Sequence, residues 1–172
     1  MSFIELASND KAIIKIKTLM ESGIYAKINT KELKQELLAL HNTKSVVSMS
    51  FDKIFANPAK LLSSSMLKNQ RSRTRAVAIK MECYEVLCLL KEHMETAVNY
   101  LRSKYQQQLN SEFKVSKDKD SAIAQVLVDF YKKQRKLESV IWVADSVVED
   151  LDKAGWTIKN TIDLFNLQAR RE

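Results

Sequence analysis

The side chains that do covalent or metal chemistry are scarce in this sequence, and their spacing converges nowhere. The two histidines, His41 and His93, have no Cys, Asp or Glu at helical spacing as part of a fuller ligand set, whereas a zinc site needs about four converging ligands. Cys83 and Cys88 stand five residues apart in an apolar helical segment and point in different directions. No disulfide framework is expected, a reducing cytosol is the default, and Cys83 reads as a small core residue. Asp118 and Asp120 form a D-x-D that could hold magnesium. They precede a helical stretch, however, where carboxylates cap free amides and favour the dipole. Asp145, Glu149, Asp150 and Asp152 make an acidic face. It is either solvated or a partner for a neighbouring subunit's basic stretch, an interface with which nucleic acid would compete. Loops that cradle phosphate need glycine for close backbone approach, and the chain has only Gly23 and Gly155. The expectation is no enzyme, no cofactor and no metal.

Cations are the other chemistry available. The formal net charge is +7. Seven basic residues (Lys53, Lys60, Lys68, Arg71, Arg73, Arg75, Lys80) fall between Lys53 and Met81 with no acid among them. A single-sign stretch attracts polyanions, either nucleic acid or an anionic lipid surface, and it can also serve plain solubility. Lys68, Arg71 and Arg75 share one side of a helix, while Arg73 and Lys80 project elsewhere. The arginine fork suits phosphate because it donates two parallel hydrogen bonds. A second patch, Tyr100-Leu101-Arg102-Ser103-Lys104-Tyr105, sets two aromatics beside two cations. Single strands are held in this way, bases on rings and phosphates on cations, although both tyrosines can equally be core. Lys132, Lys133, Arg135 and Lys136 form a third cluster that can simply be solvated. No base-reading motif is present, so binding should depend on backbone charge and weaken as salt rises.

The elements that must position these residues are helices. With two glycines and one proline, Pro58, in 172 residues, the chain lacks the turn residues of β or α/β domains. The expected fold is all-α, a helical bundle or hairpin of long heptad-patterned helices with an oligomeric C-terminal helix. Ser8 and Asp10 can cap a first helix ending near Gly23, a left-handed stop residue. Thr30 caps a second, carrying Leu33, Leu37 and Leu40. Asn42 to Ser50 reads as a polar break, and Asn57-Pro58 as a helix start. Helix is expected from Leu61 to Leu109, broken near Ser63-Ser64-Ser65, with Cys83, Leu87, Leu90, Met94, Ala97 and Leu101 in heptad rhythm. Asn110 to Lys119 reads as a linker, so residues 1–110 and 111–172 are the expected domains.

Asp120 or Ser121 opens the strongest pattern. Ile123, Leu127, Phe130, Gln134, Leu137, Ile141, Ala144, Val148 and Leu151 alternate by four and three, and Val126, Val140 and Val147 widen the stripe. This helix, Ser121–Ala154, ends at Gly155 and runs about 50 Å at 1.5 Å per residue. A chain this small struggles to cover such a rod, so Leu127, Phe130, Gln134, Leu137, Ile141, Val148 and Leu151 are the expected oligomerisation residues, with Gln134 helping to set register. A short helix from Thr157 follows, holding Ile158, Ile162 and Phe165. At 28% charged residues and without a long apolar run, no membrane span or signal peptide is expected, which places the chain in the cytoplasm.

Several of these segments resemble one known family. Ser111-Glu112-Phe113-Lys114, then Asp118-Lys119-Asp120, the apolar spacing up to Asp150-Leu151, Gly155-Trp156-Thr157-Ile158-Lys159 and Asp163-x-Phe165 are similar to the UvsY-type phage recombination mediators, mainly over residues 100–170. Leu101-Arg102-Ser103-Lys104 is similar to that family's Leu-Lys-x-Arg pattern with the cations exchanged. The resemblance implies a single-stranded DNA-binding homo-oligomer, assembled through its C-terminal helix, that helps load a RecA-like recombinase onto DNA coated by single-strand-binding protein. For a phage-encoded chain the compartment would be the host cytoplasm. Lys68, Arg71, Arg73, Arg75, Lys80, Arg102 and Lys104 would hold phosphates, and Tyr100 or Tyr105 would stack on bases. The rival reading is a non-enzymatic structural or chaperone-like assembly protein, such as a phage assembly factor or secretion chaperone, whose apolar stripes serve partner helices.

Overall fold

A computed structural model describes residues 1–42 and 58–169. Among them the chain is all-α with no strand, and no helix is long and apolar enough to cross a membrane. The helices are α1 (Phe3–Ser8), α2 (Lys11–Ser22), α3 (Ile24–Lys27), α4 (Thr30–Asn42), α5 (Pro58–Lys104), α6 (Gln106–Glu112), α7 (Ser116–Val126) and α8 (Val128–Ala169). The polar break expected between Asn42 and Ser50, the cap Asn57, Lys53 and the Lys60 side chain lie outside the described residues. The chain divides into two compact units, Met1–Asn29 with Cys83–Ser139 and Thr30–Glu82 with Val140–Glu172. The boundary expected at residue 110 falls inside the first of these.

In the first unit, Ser2 opens α1 with a capping box, its hydroxyl accepting from the Glu5 amide while the Glu5 carboxylate accepts from the Ser2 amide. Asp10 caps α2 as expected, accepting from the Ala12 amide at 2.8 Å. Gly23 ends α2 without a left-handed backbone, at φ −92°. Its amide donates to the Leu19 carbonyl at 3.1 Å, and a Cβ would lie 2.8 Å from that oxygen. Glycine is there for close approach.

The heptad residues Cys83, Leu87, Leu90, Met94, Ala97 and Leu101 are all buried, and so are Ile123, Val126, Leu127, Phe130 and Leu137. Phe3, whose ring meets Tyr105 edge-on at 5.8 Å, joins this core. The expected linker shrinks to a turn at Phe113–Val115, because α6 continues through Asn110 and Ser111 behind the buried Leu109. Helix α7 starts at Ser116 under Val115, which offers no side-chain cap. Asp118 therefore lies in the first turn rather than at the cap, and Asp120 lies inside the helix.

In the second unit, α5 runs unbroken through Ser63-Ser64-Ser65. Ser64 and Ser65 each donate back to the Leu61 carbonyl at 2.8 Å, which satisfies the hydroxyls without ending the helix. The buried line continues through the basic stretch as Leu62, Ser65, Ser72, Ala76 and Ile79. On α8 the buried residues are Val140, Ala144, Val147, Leu151 and Ile158, with Leu37 from α4. Gly155 does not stop α8. A Cβ there would lie 2.9 Å from Asn69 Nδ2, which donates at the same distance to the Leu151 carbonyl. The glycine makes room for an interhelical hydrogen bond.

The seam of α8 thus differs from the expected one. The line through Phe130, Leu137, Ala144, Leu151 and Ile158 is buried, but its companions are Val140 and Val147. Ile141, Val148 and Gln134 are half-buried flank positions, and Gln134 donates to Glu138 one turn along its own helix at 2.8 Å. Of the expected oligomerisation residues, Leu127, Phe130, Leu137 and Leu151 are covered by the single chain itself. In the second unit α5 lies alongside α8, where Asn69, Arg73 and Lys80 meet Leu151, Asp152 and Asp145.

Candidate nucleic-acid interface

Within the second unit the cations of α5 sort by helical position. Arg73 and Lys80, one heptad apart on one flank, meet carboxylates of α8. Arg73 Nε donates to Asp152 Oδ1 at 2.5 Å and its Nη2 to Oδ2 at 3.3 Å, while Lys80 Nζ lies 2.6 Å from Asp145 Oδ1. Asp145 and Asp152 are themselves seven residues apart, so the pairs repeat in register on antiparallel helices. Arg75, on the other flank, donates two bonds to Glu36 of α4 at 2.6 and 3.0 Å and reaches Glu82 at 3.5 Å. The hydrogen bond from Arg75 holds the Glu36 carboxyl below its usual range, and the bond to Asp152 raises Arg73 further above its own. His41 Nε2 lies 2.8 Å from Asp150 Oδ2. Lys68 and Arg71 are exposed and have no ion-pair partner among the described residues.

The second patch is organised differently. In the first unit Tyr100, Lys104 and Tyr105 converge on Asp10, whose side chain is 2% exposed. Lys104 Nζ donates to Asp10 at 2.7 Å and to the Tyr100 hydroxyl at 2.9 Å. It also lies 5.3 and 5.6 Å from the centres of the two tyrosine rings. The Tyr105 and Tyr100 hydroxyls donate to Asp10 at 2.7 and 3.1 Å. Burial alone pushes the Asp10 carboxyl up, but bonds from Lys104, Tyr105, the Ala12 amide and Tyr100 outweigh it and leave the carboxyl well below the usual carboxylate range. Asp10 in turn raises Lys104, and burial followed by Asp10 raises Tyr105. These rings and this cation are already occupied in joining α2 to the end of α5. Arg102, exposed nearby, donates to Asp120 at 2.8 Å.

In the sequence Asp10 reads only as a cap, and its place as a hub is not visible there. A lone acid between two short helices carries no signal of the distant residues that reach it. Glu36 was missed for the same reason. Asp145 and Asp152 were visible as an acidic face, and their partners prove to lie within the same chain.

A different surface is apolar. Trp142 and Trp156 are 70% and 68% exposed on α8, and Leu164 and Leu167 are exposed further along it. Beside Trp156 and Val148 the surface carries Asp145, Glu149, Asp152 and Lys153. Among the described residues no three His, Cys, Asp or Glu side chains are grouped so as to hold a metal ion. No protein-family model matches the chain, and no curated protein or solved structure is similar to it.

Proposed function

We propose that this chain is a non-enzymatic protein that binds single-stranded nucleic acid, DNA in preference, through the basic face of α5. As a homo-oligomer in the cytoplasm it would serve as a recombination mediator that helps load a RecA-like recombinase onto strands coated by single-strand-binding protein. One observation carries the binding reading. Lys68 and Arg71 stand exposed, without an ion-pair partner among the described residues, in α5, which carries no acid from Pro58 to Met81. Arg71 can offer a phosphate two parallel bonds, and the neighbouring pairs of Arg73, Arg75 and Lys80 are half-exposed, a class held only weakly in water. The mediator role rests on the resemblance to the UvsY-type family. For self-association, the exposed Trp142, Trp156, Leu164 and Leu167 of α8 offer an apolar surface in place of the buried seam.

A second reading, an assembly or chaperone-like protein, is favoured by that same surface. Two exposed tryptophans among carboxylates suit a protein partner better than a phosphate chain, which the acids repel. Retention of a single-stranded oligonucleotide on a filter at low and at high salt separates the two. Retention at low salt that fades at high salt supports strand binding. No retention at low salt removes it and leaves the assembly reading.

A further inference from the structure

We infer that Asp145 and Asp152 of α8 act as an internal competitor for the phosphate sites of α5. This rests on the strand-binding reading and adds a device that limits it. The geometry is that of a mimic. The two carboxylates repeat at a seven-residue interval and engage Arg73 and Lys80, which repeat at the same interval, with Arg73 gripped through both Nε and Nη2 as a phosphate would be. All four side chains are about half exposed or slightly less. Water and solute reach the pairs, and each carboxylate can be exchanged for another anion without opening the core. Lys68 and Arg71 have no carboxylate to displace among the described residues. A polyanion held at Lys68 and Arg71 must pass around the outer face of α5 to reach Arg73 and Lys80 on the other side of the helix, and it gains them only by displacing the α8 carboxylates. Short or dilute polyanions stop at the first stage. Long ones, with many phosphates at high local concentration, complete the exchange.

The test compares full-length chains in equilibrium binding to a labelled oligothymidylate across a salt series. Asp145→Asn/Asp152→Asn removes the competitor. Glu85→Gln/Glu95→Gln, two exposed acids of the other unit, makes the same change in net charge elsewhere. The first variant should bind about five- to tenfold more tightly at low salt. Its log–log salt slope should steepen by about 1.4, from two further phosphates at ~0.7 each. The gain should vanish when Arg73→Ala/Lys80→Ala is added. Circular dichroism melts confirm folding, and Asp152→Asn alone supplies a milder variant with an expected gain of about two- to threefold. If the Asp variants gain no more than the Glu variants, net charge explains the effect and the competitor is refuted, while strand binding stands. If none of the variants binds at low salt, both the competitor and the strand-binding reading fall.

Discussion

Replacing Asp10 tests the largest polar arrangement in the first unit. In Asp10→Asn the side chain keeps its shape and a capping oxygen, since Asn ranks with Asp at this position. It loses the charge and one of its two acceptor oxygens. The Ala12 amide and one tyrosine hydroxyl can still be served, and the other hydroxyl and Lys104 cannot. A hydrogen bond to a charged group contributes about 1.5–3 kcal/mol. Lys104 is half exposed and returns to water, so the hydroxyls dominate, and the expected loss is about 2–3 kcal/mol. Asp10→Ala also removes the cap, a further ~1 kcal/mol. The pH dependence follows from the depressed carboxyl. Its folded-state pKa lies below the unfolded value of about 3.9, so the native state favours the ionised form. That contribution is fully present above about pH 5 and is lost as pH falls through ~3.9 towards the folded value. Urea unfolding of wild type and Asp10→Asn at pH 7, 5 and 3 reads this directly. The gap between them should hold from pH 7 to 5 and narrow at pH 3. An equal gap at all three values, or a loss under 0.5 kcal/mol by the ~±0.5 kcal/mol standard of ordinary surface changes, would show that the Asp10 charge does not hold these groups together.

Further outcomes follow from the packing. Phe130→Ala should cost about 3–5 kcal/mol in urea unfolding, independent of protein concentration, because the single chain buries this ring. Gly155→Ala should be near neutral in thermal melts, since ~1 kcal/mol of helix propensity is offset by a lost Asn69–Leu151 hydrogen bond of similar size. In an Asn69→Ala background the same change should stabilise by about 1 kcal/mol. Trp142→Ser/Trp156→Ser should leave stability within about 0.5 kcal/mol and lower the native mass seen by light scattering.

The all-α fold was legible because apolar residues repeat at helical intervals while glycine and proline are nearly absent. The heptads of Cys83 to Leu101 were legible because they are apolar throughout. The same line through Ser65, Asn69, Ser72 and Ala76 was not, because small and polar residues hide a packed face from hydropathy. On α8 the stripe was found but its centre was set one residue off at Ile141 and Val148, where sequence alone does not separate them from Val140 and Val147. The single helix expected over Ser121–Ala154 is two, Ser116–Val126 and Val128–Ala169, because Asp120, Ser121 and Gly155 carry start and stop signals that the helices run past, and the buried Leu127 at the break is as apolar as its neighbours. Of the site, the sign and the helical side of the cations were legible. Their ion-pair partners were not, since pairing depends on which helix lies alongside and in what register. The matched seven-residue intervals of Arg73–Lys80 and Asp145–Asp152 were the one available hint.

On the proposed function, α5 meets phosphate through Lys68 and Arg71. The direct measurement is the anisotropy of a labelled single strand titrated with wild type and with Lys68→Ala/Arg71→Ala at several salt concentrations. The variant should bind more weakly, with a log–log slope shallower by about 1.4, two phosphates at ~0.7 each. An unchanged affinity and slope would contradict it.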